Sequence, residues 1–313
     1  MKKILTSLLL VLFAAAAFSQ ELCGTYLFSN RSDGDLYLDI YNPAPGSRTT
    51  IDGKEKPTVL FVFGGGFISG TRNDPYYLPW FKLMTDAGYR VISTDYRLGL
   101  KGVEMKFGIF NLIKSAKSTI AAVDMGIEDV FTAVKYLSDN ADELGLDMGN
   151  IVLAGSSAGA MISLACESDI CNGEPLSAIL PEGFRFKGII SYAGALMSDT
   201  GTPGYAINPA PHLLFHGDAD GAVVYDKTAF GRYGMFGSAY LVDKVFSTKG
   251  YIYSFYRYPG HSHDMSANFV ATWPEQQRFL EELTTGHLRT VDASVIDPTI
   301  PVWENAPTLE TIY

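Results

Sequence analysis

Short, uninterrupted apolar runs alternate with longer helical segments along most of this 313-residue chain. A run of this kind is typical of a strand that is buried on both faces of its sheet. The runs lie at residues 58–63, 90–94, 151–154, 188–192, 213–215 and 251–256. Because parallel strands need a crossover between them, usually a helix, the alternation predicts an α/β fold with a mostly parallel sheet and helices on both faces.

The segments between the runs carry the three- and four-residue spacing of amphipathic helices. The clearest stripe lies in residues 127–137 and consists of Ile127, Val130, Phe131, Val134 and Leu137. Further helices are predicted at 77–87, 157–166, 237–246 and 274–283. Ahead of the parallel part, the alternating residues 35–41 predict a half-buried strand in an antiparallel pair. No repeat or long linker divides the chain, so residues 20–313 are expected to form a single domain.

Residues 1–19 have the composition of a secretory signal peptide. Two lysines precede an apolar run at residues 8–17, and a small-x-small triplet ends at Ser19. The run is much shorter than the roughly 20 residues that a membrane-spanning helix needs. We therefore expect cleavage near Ser19 or Gln20 and a secreted or periplasmic protein without a membrane span.

Other stretches lack a regular pattern. Residues 284–313 contain three prolines and no period, which predicts an irregular tail that packs along the surface or stays loose. Residues 196–211 are rich in Gly, Pro, Ser and Thr, so the connection between two predicted strands is expected to be irregular. Residues 99–118 are the main unassigned stretch before residue 150, and they leave no room for a large cap domain.

Charge and cysteine content limit the possible partners. The formal net charge is -10 and no cluster of Lys or Arg occurs, so a nucleic acid partner is not expected. No spacing of Cys or His suggests a metal site. Cys166 and Cys171 are close enough in sequence to form a disulfide, although three unpaired buried cysteines would fit equally well.

The most informative segment is the Gly-x-Ser-x-Gly pattern from Gly155 to Gly159. It follows an apolar run and precedes a predicted helix, which is the setting in which this pattern presents a nucleophilic serine. Glycines are needed on both sides because the backbone at the serine is strained and crowded. Ser157 is therefore the predicted nucleophile, and the alternative is a small-residue turn that packs a helix against a strand.

A carbonyl group under attack develops a negatively charged oxygen, which backbone N–H groups can stabilise. Gly64, Gly65 and Gly66 directly follow the apolar run 58–63. The predicted oxyanion hole consists of the N–H groups of Gly65 and Gly66, joined by that of Ala158 after the serine. A tight turn without a catalytic role is the alternative.

The general base is expected to be a histidine, the side chain that titrates nearest to neutral pH. Of the five histidines, His263 follows the last predicted strand and can reach over the edge of the sheet. Its neighbour His261 is a rival. Asp218 and Asp220 follow an earlier strand, and either can orient the imidazole. His216, at the end of that strand, is predicted to be structural.

Several motifs occur in order between residues 58 and 263. They are FVFGGGF at 61–67, TDYRLG at 94–99, LGLD at 144–147, the segment 151–160 and HGxxD at 216–220. Together with the chain order Ser, Asp, His, they resemble the carboxylesterase and hormone-sensitive-lipase-like branch of the α/β-hydrolases. The resemblance implies an eight-stranded sheet, a two-step acyl-enzyme mechanism without a cofactor, Asp220 as the acid and His263 as the base. Phe63 stands where this family usually has a histidine that anchors the glycine loop.

The expected activity is hydrolysis of a small or short-acyl carboxylic ester, from either a small molecule or a glycan-linked ester. The alternatives are an esterase that removes acetyl or feruloyl groups from polysaccharides, a peptidase of the same fold, and a non-catalytic binding module. The side chains expected to narrow the acyl site are Met105, Phe107, Ile109, Phe110 and Leu112 on one side and Phe67, Tyr76, Tyr77 and Trp80 on the other. The aromatic set could instead be core residues of the next helix.

Overall fold

The structure of the protein, a computed structural model, describes residues 22–32, 34–105 and 111–313. The expected signal peptide, residues 1–19, lies outside the described residues. The strands are β1 (Leu22–Ser29), β2 (Leu36–Tyr41), β3 (Thr50–Ile51), β4 (Lys54–Glu55), β5 (Thr58–Val62), β6 (Arg90–Thr94), β7 (Ile151–Ser156), β8 (Gly188–Tyr192), β9 (Ala195–Ser198), β10 (His212–Gly217), β11 (Lys227–Phe230), β12 (Tyr233–Gly237), β13 (Tyr253–Tyr258) and β14 (Val291–Ser294).

Helices connect most of these strands. The α-helices are α1 (Leu78–Asp86), α2 (Leu112–Asp139), α3 (Ala141–Leu144), α4 (Ala158–Asn172), α5 (Ser238–Tyr240), α6 (Ser247–Lys249), α7 (Trp273–Thr285) and α8 (Leu309–Ile312). A π-helix, Leu241–Phe246, joins α5 to α6, so the helix predicted at 237–246 continues to residue 249. Short 3-10 helices lie at Met148–Asn150, Pro175–Ile179 and His263–Ser266. None of the helices in the described ranges is long and apolar enough to cross a membrane.

One large sheet forms the centre of the fold, with strand order β1-β2-β6-β5-β7-β8-β10-β13-β14. Neighbours from β6 to β14 are parallel, whereas the β1–β2 and β2–β6 pairs are antiparallel. The predicted mostly parallel sheet with an antiparallel beginning is confirmed. Strands β5, β7, β8 and β10 are buried along their whole length, which explains their unbroken apolar sequences.

The sheet has nine strands where the resemblance implied eight, because the C-terminal stretch adds β14. This strand pairs in parallel with β13. Arg257 on β13 binds the Asp292 carboxylate through Nε at 2.7 Å and Nη2 at 2.9 Å. The stretch 284–313 is therefore not irregular throughout. Its four-residue strand is too short to give a periodic signal, and pairing with β13 orders it.

Helix α2 extends well beyond the predicted 127–137 and takes in the end of the unassigned stretch 99–118. Its first turns place Ile113, Ser115 and Thr119 along a cleft beside Ser157. Because this part of the helix does not face the core, it lacks the apolar stripe by which the rest was recognised.

A small antiparallel sheet, ordered β11-β12-β9, stands beside the large one. No helix forms in residues 196–211, as expected, but β9 begins the connection and pairs with β12, with Ser198 opposite Gly234. The β11–β12 hairpin was not predicted from the sequence. All four residues of β11 are exposed, so neither a buried run nor an alternating pattern marks it.

The cysteines are unpaired. Cys166 and Cys171 are buried in α4, and Cys23 is exposed. The disulfide considered for Cys166 and Cys171 does not form, because two side chains five positions apart on one helix leave it in directions roughly 140° apart.

Candidate active site

Ser157 occupies a sharp turn between β7 and α4. Its backbone has φ +49° and ψ -116°, a conformation that costs a non-glycine residue roughly 1–3 kcal/mol. The flanking glycines allow the turn to be this tight. A Cβ on Gly155 would collide with the carbonyl oxygen of Gly159, and one on Gly159 would collide with that of Val62. The glycines of the motif therefore meet a packing requirement that any larger residue would violate.

The structure brings His263 against Ser157. The Ser157 hydroxyl donates to His263 Nε2 at 2.8 Å, and His263 Nδ1 donates to Asp220 Oδ2 at 2.8 Å. His263 begins the 3-10 helix that follows β13, and Asp220 follows β10. Both side chains are almost fully buried. A row of hydroxyl, imidazole and carboxylate in this geometry can transfer the serine proton to the imidazole.

Asp220 is held by several donors. Its Oδ1 accepts from the N–H groups of Ala222 at 2.8 Å and Val223 at 2.9 Å. His216 Nε2 lies 3.3 Å from Oδ2. Burial acts to raise the pKa of Asp220, but hydrogen bonds with His216 and His263 outweigh it and hold this pKa well below its ordinary value. Asp220 is therefore a carboxylate at any pH at which the protein would work, and His216 has a partner that sequence analysis did not assign.

The rival residues have other partners. His261 Nδ1 lies 2.7 Å from Asp264 Oδ2, and Asp218 Oδ1 accepts from the N–H of Gly260 at 2.7 Å. His261 and Asp218 each lie only two positions from His263 and Asp220, the residues that are hydrogen-bonded in a row with Ser157. Sequence position alone therefore could not separate them.

The glycine loop lies directly beside the serine. A Cβ on Gly64 would lie 3.3 Å from Ser157 Cβ. Gly65 and Gly66 have φ values of +125° and +63°, which glycine adopts without strain. Within the described ranges, no group accepts a hydrogen bond from the N–H of Gly65, Gly66 or Ala158. The three N–H groups that were predicted to form the oxyanion hole thus have no acceptor among the described residues.

Phe63 fills the position before the loop with an apolar ring. It is buried and stacks on Tyr96, with ring centroids 4.5 Å apart and planes at 29°. Tyr77 makes a polar contact to the loop, because its hydroxyl oxygen accepts from the N–H of Gly64 at 3.1 Å. The departure from the family pattern thus leaves a loop that is still anchored.

Two clefts meet at Ser157. The first has a volume of about 190 Å³ and is mostly apolar, lined among others by Phe67, Met105, Met161, Met197, Tyr233 and Met235. The second has a volume of about 720 Å³, is more open, and includes Ser69, Asp74, Tyr76, Tyr77, His263 and Trp303. The hairpin β11–β12 and helix α8 complete the wall of the first cleft.

Some of the residues that were expected to line the site do so, and others do not. Phe67 and Met105 line the first cleft, and Tyr76 and Tyr77 line the second. Trp80 does not, because it is fully buried in the core, with its ring 5.0 Å from that of Phe61. Phe107, Ile109 and Phe110, together with the side chain of Leu112, lie outside the described part of the structure.

The described residues contain no group of three His, Cys, Asp or Glu side chains arranged to bind a metal ion.

Comparison with known proteins identifies relatives of part of the chain. Residues 38–169 match the BD-FAE family. Acetylcholinesterase of Leptinotarsa decemlineata is 31% identical over 163 residues, which are 50% of this chain and 25% of that protein. Para-nitrobenzyl esterase of Bacillus subtilis is 28% identical over 131 residues, 42% of this chain and 24% of that protein. The chain thus spans about a quarter of the length of these curated relatives.

Solved structures match over a larger part of the chain. The butyrate-bound thermophilic esterase of Thermogutta terrifontis superposes with a TM-score of 0.61 at 19% identity, and the match covers 86% of this chain and 96% of that one. At this identity the similarity establishes the fold. The sheet and the strand-turn-helix at Ser157, together with these matches, show the α/β-hydrolase fold, and residues 38–169 are similar to the BD-FAE family.

Proposed function

We propose that this protein is a serine hydrolase that cleaves small or short-acyl carboxylic esters through an acyl-enzyme intermediate. The observation that carries the proposal is the row Ser157, His263 and Asp220, joined by two contacts of 2.8 Å each. The N–H groups of Gly65, Gly66 and Ala158, which have no acceptor in the described part of the chain, support the proposal. Nucleophile, base, acid and oxyanion donors then all have a candidate.

In the proposed mechanism, His263 takes the Ser157 proton as the hydroxyl oxygen attacks the ester carbonyl carbon. The carbonyl oxygen becomes an oxyanion that accepts hydrogen bonds from the loop glycines and Ala158. His263 then gives its proton to the departing alkoxide, which leaves as an alcohol. A water molecule repeats the sequence on the acyl-enzyme and releases the acid. The Asp220 carboxylate stabilises the imidazolium and holds its tautomer.

The two clefts suggest how an ester would lie. We assign the acyl group to the first, apolar cleft and the alcohol part to the second, because only the larger and more polar space fits a bulky or glycosylated alcohol. Sites for drug-sized ligands usually occupy roughly 300–1,000 Å³. The first cleft, at about 190 Å³, is smaller than this and fits a compact acyl group.

Acyl length should therefore control the rate. With 4-nitrophenyl esters from acetate to palmitate, kept below micelle-forming concentrations, we expect kcat/KM to be highest for acetate to butyrate. At decanoate, kcat/KM should be lower by about tenfold or more, because methylene groups that do not fit the cleft make no contacts with its wall. Truncating Met235 in the cleft wall to alanine should move the optimum to longer chains. A steady rise in kcat/KM toward decanoate would contradict the assignment.

The pH profile should show a single acid limb. Because neutral His263 is the reactive form, kcat/KM should rise about tenfold per pH unit at low pH and level off once the imidazole is neutral. Asp220 should add no second limb, since its pKa is held well below the ordinary value. The measurement is a pH series with chemistry shown to be rate-limiting, and a flat profile would argue against a histidine base.

The proposal as a whole is tested by a panel of matched esters and amides, combined with fluorophosphonate labelling. We expect ester hydrolysis, slow or absent amide hydrolysis, and a label on Ser157. Preferential amide cleavage would indicate a peptidase, and a protein that neither labels nor hydrolyses would be a binding module.

A polysaccharide-deacylating esterase is the second candidate. The second cleft carries two partly exposed aromatic side chains, Tyr76 at 56% and Trp303 at 38% exposure, and sugar rings pack on such surfaces. If the alcohol is a glycan, Trp303→Ala should raise KM for acetylated or feruloylated oligosaccharides and leave KM for 4-nitrophenyl acetate unchanged. An equal effect on both substrates would remove the support for a glycan.

We also propose that residues 1–19 direct export of the protein. Expression with and without this segment, followed by N-terminal sequencing of exported material, tests the proposal. A mature protein that begins near Gln20 is the expected result, and retention of the complete chain in the cytoplasm would contradict it.

A further inference from the structure

We propose that Tyr313 is a positioning residue of the active site, whose hydroxyl sets the direction of the oxyanion donors in the glycine loop. The inference rests on the proposed function and adds a residue that no motif of the sequence marks. The Tyr313 hydroxyl donates to the carbonyl oxygen of Gly66 at 2.7 Å. Burial raises the pKa of Tyr313 to about 12, so the hydroxyl remains a donor at neutral pH.

The loop has little conformational preference of its own at Gly66. Glycine lacks a Cβ, so its φ and ψ are the least restricted torsions of any residue. Each peptide group is planar, however, and fixing the two groups that flank a residue fixes both of its torsions. The direction of the Gly66 N–H therefore depends on what holds the peptide groups on its two sides.

Two separate contacts hold those peptide groups. The carbonyl oxygen of Gly65, which belongs to the same peptide group as the Gly66 N–H, accepts from the N–H groups of Ile68 and Ser69 at 3.0 Å each. The carbonyl oxygen of Gly66 accepts from Tyr313. Among the described residues, Tyr313 is the only donor to this oxygen. Loss of its hydroxyl would release one of the two flanking groups.

The next residue makes such a contact necessary. Phe67 has φ +63°, a left-handed conformation that is unfavourable for a bulky side chain. Its peptide group with Gly66 carries the oxygen that Tyr313 binds, and its own carbonyl oxygen accepts from the N–H of Leu100 at 3.0 Å. The conformation is thus imposed from both sides by residues outside the loop.

The C-terminal helix α8 delivers Tyr313 to the loop and is itself tied to the loop that carries the acid. The N–H of Leu309 donates to the carbonyl oxygen of Gly221, which directly follows Asp220, at 3.2 Å. A Cβ on Gly66 would lie 2.8 Å from Ile312 Cγ2, so α8 packs closely on the loop. The hydroxyls of Tyr77 and Tyr313 together supply polar anchoring that the apolar Phe63 cannot give.

The experiment compares Tyr313→Phe with the wild-type protein. This variant keeps the ring and removes one hydroxyl, so the fold should persist. We expect kcat for 4-nitrophenyl acetate to fall about tenfold, less than the 10²- to 10³-fold typical for loss of a whole oxyanion donor. KM should stay within about twofold, and the inhibition constant of a trifluoromethyl ketone should rise by the same factor as kcat falls.

Tyr37→Phe is the matched control, because it removes a hydroxyl that donates to Asp35 at 3.3 Å on the surface. A purely structural role for Tyr313 would lower the thermal unfolding temperature and leave kcat and the ketone affinity unchanged. That result, or an equal loss in the Tyr37→Phe control, would overturn the inference while leaving the proposed function intact.

Amide hydrogen exchange decides the question independently of catalysis. Faster exchange at residues 65–69 in Tyr313→Phe, compared with the wild-type protein, supports the positioning role, and unchanged exchange overturns it. If the wild-type protein hydrolyses no ester, the proposed function fails, and the exchange measurement still reports whether Tyr313 holds the loop.

Discussion

Replacing Ser157 with alanine is expected to lower kcat for a 4-nitrophenyl ester by about 10⁴-fold or more. The hydroxyl oxygen is the only atom removed, and it is the atom that would attack the carbonyl carbon. Alanine keeps the Cβ, so the left-handed backbone at this position is neither relieved nor worsened. Circular dichroism and thermal unfolding should therefore resemble those of the wild-type protein, and fluorophosphonate labelling should be lost.

Ser163→Ala is the matched control for this prediction. Ser163 lies on helix α4, which directly follows Ser157, is fully buried and donates to the carbonyl oxygen of Gly159 at 2.8 Å. It should lose about 1 kcal/mol of stability, the usual net value of one hydrogen bond, and keep its activity. A Ser157→Ala protein that retains near wild-type esterase activity would contradict the assignment of the nucleophile.

Asp220→Asn should lower kcat by about 10³- to 10⁴-fold. The carboxylate accepts the Nδ1 proton of His263 at 2.8 Å, which leaves Nε2 free to take the serine proton. An amide can keep one oxygen toward the N–H groups of Ala222 and Val223, and its NH₂ group would then face His263. This arrangement favours the tautomer that carries its proton on Nε2, which cannot act as the base.

Asp218→Asn tests whether the effect is specific to Asp220. Asp218 is two positions away, and its carboxylate accepts from the N–H of Gly260, so kcat should change by less than about twofold. Comparable losses in both variants would mean that the loop as a whole, and not the contact with His263, determines activity. A large loss in Asp218→Asn alone would reverse the assignment of the acid.

Local signals in the sequence were sufficient to predict the buried strands of the sheet and the tight turn at Ser157. Strands such as β5 and β7 are buried on both faces, so each residue must be apolar or small, and the requirement is visible without knowledge of their neighbours. The turn at Ser157 is equally local, because Gly155 and Gly159 must leave room within five residues of chain. For these features, the physical constraint acts on the same few residues that show the sequence pattern, so the pattern is sufficient to predict them.

The choice between nearby candidates needed the tertiary structure. His261 and His263 lie in one loop, and Asp218 and Asp220 lie in another. Only the fold determines which histidine contacts Ser157 and which aspartate contacts that histidine. The resemblance to a family indicated His263 and Asp220, but without it the sequence did not exclude His261 or Asp218.

The wall of the first cleft and the anchoring of the glycine loop were decided only by the tertiary structure. The hairpin β11–β12 pairs with β9, and Tyr313 reaches Gly66 across 247 positions of sequence. Contacts between such distant segments depend on backbone groups and single side chains, which impose no period or composition on either segment. The sequence by itself therefore determined the sheet and the serine turn, whose constraints are local. Only the tertiary structure determined the cleft wall and the anchoring of the glycine loop, because these depend on contacts between segments that are remote in sequence.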